Sequence, residues 1–297
     1  ILGNFDNARS AIMKESDDPY SIPRIVGIVE NIGDVTLDEC FYNNHNDAIG
    51  GVAVSTLTVN LAISGKQLLT DDPLLFNDVY FSIEGLDDWV RKTGIKVEKD
   101  LTKRSATISY TPLQDIDIQL DCGFKLYITY TFSFPGAPVQ DSATIKHKAY
   151  LKLGHKEAQP LDTFINLIFK IISFLGFAID KNVCLEDVIG YRKNDSLKND
   201  KKEYLQRHTI YYPSRPYVKI PEKIYRNQML FNYLDVENNF KEIINKWILA
   251  YDSIGPSLNL YFSSKTKQHK YLESNFLALA QCLETYHRRT SNDTQMD

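Results

Sequence analysis

ATISYTP (residues 106–112), DIDIQLD (115–121), FKLYITYTFSF (124–134) and ATIKHKAYLKL (143–153) follow one another with little between them, and their reading decides the fold class. Residues of alternate character recur at every second position, the repeat of a strand with two unlike faces. In the last segment Ile145, His147, Ala149 and Leu151 share a side. The third segment is strongly aromatic, and Pro135, Gly136 and Pro138 break the chain after it. The first two segments are joined by a short turn. Strands this close, with connections this short, predict antiparallel pairing in a sandwich or jelly-roll-like sheet.

Upstream the pattern is the same. IVGIVE (25–30) and DVTLDECF (34–41) flank Asn31, Ile32 and Gly33, a hairpin signal. VAVSTLTVNLAI (52–63) is a long β-branched run, and NNHND (43–47) reads as a turn between strands. The turn-rich TDDPLLFND precedes VYFSIEG (79–85), and a short helix is expected at 86–92 with Trp89 and Val90 inward and Gly94 as its stop.

Downstream, FINLIFKIISFLGFAI (164–179) is the most apolar stretch. It is short for a membrane span and contains Asn166 and Lys170, so it reads as a helix at 161–177 packed on the sheet. CLEDVIGYRK (184–193) and HTIYYPS (208–214) predict a further hairpin, with the charged residues between them as a solvated loop. From Val236 the period becomes helical. Phe240, Ile243, Ile244, Trp247, Ile248 and Tyr251 form a stripe that Gly255 and Pro256 are expected to end. A second helix is expected over about 269–289, with Leu272, Phe276, Leu279, Ala280, Leu283 and His287 on its apolar face. The fold class is therefore α+β: a β-rich module with a packed helix over 1–235, then a helical segment over 236–297.

The formal net charge of −4 excludes a field strong enough to bind nucleic acid by itself. The cysteines at 40, 122, 184 and 282 have neither zinc-knuckle nor redox spacing, and so few in so long a chain fit reduced thiols and a cytoplasmic setting. Phosphate-binding loops, dinucleotide fingerprints, nucleophile elbows and zincin motifs are all missing. No metal or cofactor is implied. Asp115, Asp117 and Asp121 fall on one strand face, which the solvated side of a strand backed by Ile116, Ile118 and Leu120 explains without a cation. Arg215, Lys219, Lys223 and Arg226 interleave with Tyr217 and Tyr225, a combination that can hold single-stranded RNA by charge and stacking and that a surface loop produces equally. Glu284 and Arg288 can pair along the last helix, beside His287 and Arg289.

WILAYDSIGPSLNLYFSSKTKQHKYLESNFLALAQCLETYHRR (247–289) resembles the opening of the helical domain of ApeA-like HEPN proteins. IVGIVENIGDVTLDECF and GLDDWVRKTG resemble the amino-terminal module of the same family. The resemblance implies a bacterial anti-phage protein acting by abortive infection. Its β-rich module would sense a phage protein, and its HEPN domain would cleave RNA without metal, usually as a homodimer. It also implies an Arg-x4–6-His motif, where histidine moves the proton and arginine offsets phosphate charge. No arginine here is followed by histidine at that spacing: Arg207 and His208 are adjacent, and His287 precedes Arg288 and Arg289. The expectation is a sensor plus the first HEPN helices, inactive alone, with Glu284, His287 and Arg288 as accessory groups and the motif past Asp297. The alternative is a carbohydrate- or peptide-binding β module whose helices serve dimerisation, suggested by the aromatic strand 124–134.

Overall fold

The computed structural model describes residues 21–46, 54–69, 72–136, 141–199, 202–214, 223–265 and 271–291. The fold is α+β and every strand pair whose register is defined is antiparallel. Contacts divide the chain into two interleaved units: Ile1–Tyr80, His155–Phe164 and Asp187–Arg215, and Phe81–Gly154, Ile165–Glu186 and Pro216–Asp297.

The first unit is a sheet with strand order β1 (Ser21–Val29), β2 (Gly33–Asn46), β3 (Val54–Ser64), β11 (Lys202–Tyr211), β10 (Leu185–Asn199) and β4 (Leu75–Ile83), the last two with residues in both units. The β1–β2 hairpin forms where Asn31 and Gly33 were expected to turn the chain, both at positive φ, 64° and 87°. β2 continues through NNHN to Asn46 as strand, because it pairs with β3 as far as Asn46↔Val54; Asp47 lies outside the described residues. LFND is likewise strand: β4 begins at Leu75 and buries Phe76 and Asn77. Apart from Asp200 and Lys201, which lie outside the described residues, the charged stretch between the two predicted strands is strand and not loop. β10 and β11 run through it as a long ribbon, with a register shift between Tyr191 and Ser196. Its side chains alternate on an exposed pair of strands, which asks nothing of hydrophobic periodicity.

Charge pairs tie this unit together. Arg192 grips Asp72 with two bonds of 2.8 and 3.1 Å, Lys66 Nζ lies 2.5 Å from Asp195, and Arg24 bonds Asp38 at 2.8 Å. The Arg192 bond holds the Asp72 carboxyl below its usual range. His208 is fully buried, edge-on to Phe76, with Nε2 3.3 Å from Asp195. Burial pushes the His208 pKa down more than Asp195 lifts it. A Cβ at Gly190 would meet Phe76 Cδ1 at 2.5 Å, so only glycine lets β10 cross that ring.

In the second unit β9 (Lys146–Pro160, shared with the first unit), β8 (Lys125–Ser133) and β7 (Ile116–Gln119) form a meander. Asp115, Asp117 and Asp121 are exposed, Asp117 lies 3.6 Å from Lys125, and Ile118 and Leu120 are buried on the other side. The segment 106–112 does not pair with β7. Its strand β6 (Ser105–Tyr110) pairs instead with β5 (Ile95–Asp100), formed by IKVEKD, whose alternating charges hid it as a strand. Helix α1 (Leu86–Val90) buries Trp89 and Val90 as expected but ends at Arg91, in the left-handed conformation at φ 55°, rather than at Gly94.

Helix α2 (Leu161–Ile179) is long and apolar enough to cross a membrane by composition, yet 61% of its apolar window is buried inside the protein. It packs against α4 (Phe240–Lys265): Trp247 Nε1 donates to the Lys170 carbonyl at 2.9 Å, Lys170 meets Asp252 at 2.8 Å, and Ser173 Oγ donates to Tyr251 at 3.1 Å. α3 (Tyr233–Val236) precedes α4, capped by the Asn232 side chain, which accepts from Leu234 N at 3.0 Å. α4 does not stop at Gly255–Pro256. Tyr251, Leu258 and Phe262 lie on both sides of that dipeptide in one buried cluster with Phe169 and Phe177, and that packing carries the helix through. The last helix, α5 (Leu272–Thr290), follows residues 266–270, which lie outside the described set.

Candidate recognition surface

The β5–β6 ribbon begins at a close approach. Gly94 O accepts from Thr111 N at 3.0 Å, and a Cβ on Gly94 would stand 1.9 Å from the Thr111 carbonyl oxygen. At its far end Asp100 Oδ1 accepts from the backbone N–H of Thr102 and Lys103 at 3.0 Å and from Thr102 Oγ1 at 2.6 Å. These bonds, led by the Thr102 hydroxyl, hold the Asp100 carboxyl below its usual range. The register Ile95↔Tyr110 and Val97↔Ile108 puts those four side chains on one face, and Val97 and Ile108 are exposed on it.

Tyr110 connects this face to the end of β8. Its ring centroid lies 4.9 Å from that of Phe132 and 6.2 Å from that of Phe134, and those two are 5.1 Å apart. Period two along FKLYITYTFSF explains why the phenylalanines are there. Leu126, Ile128, Tyr130, Phe132 and Phe134 share one side of the strand; Leu126 and Ile128 are in the core, and the same side emerges into solvent, where Phe134 is 62% exposed. β9 repeats the pattern opposite, with Leu151 and Ala149 buried and His147 paired to Phe132.

Beneath the exposed rings lie two polar groups. His147 stacks on Tyr130 at 5.2 Å and 23°, and its Nδ1 shares a hydrogen bond with Tyr110 OH at 3.2 Å. The Tyr130 hydroxyl and His147 Nε2 are buried and have no partner among the described residues. Burial, with nearby negative groups, pushes the Tyr130 pKa up to about 12, so the phenol keeps its proton. The Asp87 carboxylate, which accepts from Ala149 N at 2.7 Å, is itself pushed up by burial. The arrangement offers flat apolar contact at its surface, with the Tyr130 hydroxyl and His147 Nε2 buried beneath it. That is the chemistry of recognition.

The residues singled out by sequence fall elsewhere. Arg215 and Lys219 lie outside the described residues. Arg226 is bonded to Asp235 at 2.6 Å, and Lys223 Nζ sits 5.6 Å from the centroid of the exposed Tyr225. Glu284 and Arg288 pair at 2.6 Å on the outside of α5, and His287 is exposed beside them, its carbonyl accepting from Ser291 N. Among the described residues no three His, Cys, Asp or Glu side chains gather as metal ligands. Of the Tyr110–Phe132–Phe134–His147 cluster, the sequence pointed to the aromatic strand 124–134 as a binding face but not to Tyr110 or His147, which other strands bring to it. Its one sequence signal was that β8 stays aromatic past the point where a half-buried strand would turn polar.

A family described as ApeA N-terminal domain 1 matches residues 1–247. No curated protein and no solved structure matches the chain.

Proposed function

We propose, from the premise that this chain belongs to the ApeA N-terminal domain 1 family, that it is the sensing part of a cytoplasmic bacterial phage-defence protein. Its ligand is a phage protein, and binding controls RNA cleavage by a HEPN domain of the same protein. The observation that supports a sensing role is the set of exposed Val97, Ile108, Phe132 and Phe134 side chains around half-buried Tyr110, over two buried polar atoms without a partner among the described residues. Apolar surface left open in this way marks a contact site more often than it marks a structural accident. Regulation then requires that the phage protein bind the active state more tightly than the resting one.

The test is phage challenge of cells carrying the full-length protein with Phe132→Ser and Phe134→Ser together. An aromatic anchor truncated at an interface costs about 2 kcal/mol or more, roughly thirtyfold in affinity. Loss of plaque protection and of infection-triggered RNA cleavage, with unchanged protein level, is the expected result. Undiminished protection would remove this face as the sensor. A carbohydrate could also use ring faces beside a hydroxyl and an imidazole. In that case glycan binding by the wild-type chain, abolished by the same substitutions without any captured phage protein, is the distinguishing outcome.

A further inference from the structure

We propose that the outer edge of β1 is a strand-addition site for a short extended segment of another protein, apolar in its middle and basic at both ends, an inference independent of the sensing face. β1 ends the strand order of the first unit, and among the described residues no strand pairs with its second edge. Such an edge carries a row of backbone N–H and C=O groups that recruits another strand unless charge or a bulge blocks it. Neither does so here between Ile25 and Val29. The register with β2 runs from Arg24↔Asp38 to Val29↔Gly33 without a shift. The one charged residue of β1 is Arg24, whose guanidinium is spent on Asp38 at 2.8 Å and on the carbonyls of Leu69 and Asp72 at 2.6 and 2.7 Å. Val26 and Ile28, 37% and 71% exposed, share its side of the strand. The meander of the second unit ends differently. Exposed Asp115, Asp117 and Asp121 border β7, and the Asn245 side chain takes up its backbone, donating to the Gln119 carbonyl at 3.3 Å and accepting from Asp121 N at 2.9 Å.

Charge selects the occupant of the β1 edge. Glu30 follows the strand directly, and Glu39 falls across from Pro23 near its start. Both are exposed, and neither has an ion-pair partner among the described residues. Asp34, on β2, accepts from the Gln67 amide at 3.1 Å and meets no cation among the described residues, so the field over the hairpin is negative. The two glutamates bracket Arg24–Val29, roughly 20 Å of strand. An added strand of that length, β-branched in its middle, would pack on Val26 and Ile28 and set a lysine or arginine at each carboxylate. An acidic segment of the same shape would be repelled at both ends.

The probe is a fluorescent peptide, acetyl-KVTVTVK-amide, titrated against the full chain, with acetyl-EVTVTVE-amide as its acidic twin. The basic peptide should bind saturably, weaken as salt is added, and slow exchange at alternate backbone amides between Arg24 and Val29, whereas the acidic one should not bind. Val26→Lys with Ile28→Lys guards the edge at two exposed positions and should weaken binding at least about tenfold with the circular dichroism unchanged. Glu30→Lys with Glu39→Lys should turn the preference toward the acidic peptide, a result that damage to the fold would not produce. No saturable binding, equal binding of the two peptides, indifference to the edge lysines or an unreversed preference would overturn the proposal. So would binding that appears only after residues 1–20 are removed, which would show that the chain's own leading segment holds the edge. A dimer lost on Val26→Lys with Ile28→Lys would overturn it too, because a second copy would then be the occupant.

Discussion

Trp89 sets a test in which the more conservative of two substitutions should be almost silent. The residue sits in the five-residue helix α1, is 0% exposed, and meets the rings of Phe174, Tyr233 and Phe240 at 6.2, 5.8 and 5.8 Å. Trp89→Ala removes the whole anchor and should cost about 3–5 kcal/mol, a large part of the stability of an ordinary domain. Trp89→Phe is different. It forfeits about two methylene equivalents of burial and leaves a small void, together on the order of 2 kcal/mol. It also deletes an indole N–H that is buried without a hydrogen-bond partner among the described residues. An orphaned donor costs about 1–3 kcal/mol, so the two effects nearly cancel and the net loss should be about 1 kcal/mol or less. Trp247 is the internal control. It is only half-buried, but its Nε1 donates to the Lys170 carbonyl at 2.9 Å. Trp247→Phe loses a hydrogen bond that is made, about 1 kcal/mol, and relieves no orphaned donor in return, so it should cost more than Trp89→Phe, the reverse of the order that burial alone predicts. Urea unfolding followed by far-ultraviolet circular dichroism, with equal slopes in all variants, measures the differences. A Trp89→Phe loss above about 2 kcal/mol, or one larger than that of Trp247→Phe, would refute the claim that the indole nitrogen is unsatisfied.

Gly94→Ala should drive a methyl into the Thr111 carbonyl oxygen, 1.9 Å from the ideal Cβ position, and release the base of the β5–β6 ribbon. Hydrogen exchange should rise across 95–110 while α2 and α4 stay protected. His208 makes the protein acid-sensitive. Its folded pKa lies below its unfolded value, so the unfolded chain binds the extra proton, and stability present above about pH 6.5 is lost as pH falls. The unfolding free energy of His208→Gln should fall less between pH 7 and pH 5 than that of the wild type, and an identical slope would show that His208 is not the group responsible. Pro256 lies inside α4, where it cannot donate to the carbonyl four residues before it. Pro256→Ala should raise the unfolding midpoint, and a lowered midpoint would mean that the φ fixed by proline stabilises α4 more than the lost hydrogen bond costs.

The elements that were legible in the sequence are those whose burial is one-sided or complete. β8 and β9 announce themselves because Leu126, Ile128, Ala149 and Leu151 recur at every second position on the core side. α2 does so because almost its whole circumference is apolar. What was not legible was decided by pairing. IKVEKD has no hydrophobic period, and it is a strand because it hydrogen-bonds SATISY from Ile95↔Tyr110 to Asp100↔Ser105. The β10–β11 ribbon is the same case at greater length. Proline misled in the opposite direction: Gly255–Pro256 carries a strong stop signal, and the packing of Tyr251, Leu258 and Phe262 outweighs it. The family resemblance drawn from the segments at 25–41 and 85–94 is supported by the match over 1–247, whereas of the charged residues picked out by type, Arg226 pairs with Asp235, Glu284 pairs with Arg288, and Arg215 and Lys219 lie outside the described residues. Residue type alone does not say which strands will bring side chains together, and the Tyr110–His147 contact joins two strands that lie 37 positions apart.

The ribbon also bears on how the proposed sensing face would engage a partner. A two-stranded sheet has two open edges, and open edges invite strand addition unless charge guards them. β5 carries exposed Lys96, Glu98 and Lys99 within six residues, available to hydrate that edge. A surface meant to accept an added strand would be poorly served by such a border. The apolar side chains Val97 and Ile108 instead project from the face and run into Phe132 and Phe134 through Tyr110. Recognition by side-chain contact is the use that fits a guarded edge beside an unguarded face. It follows that replacing Lys96, Glu98 and Lys99 by threonine should promote aggregation without weakening ligand binding, whereas Phe132→Ser should weaken binding while improving solubility. Binding lost on the lysine and glutamate replacements, with Phe132→Ser neutral, would mean that the edge and not the face makes the contact.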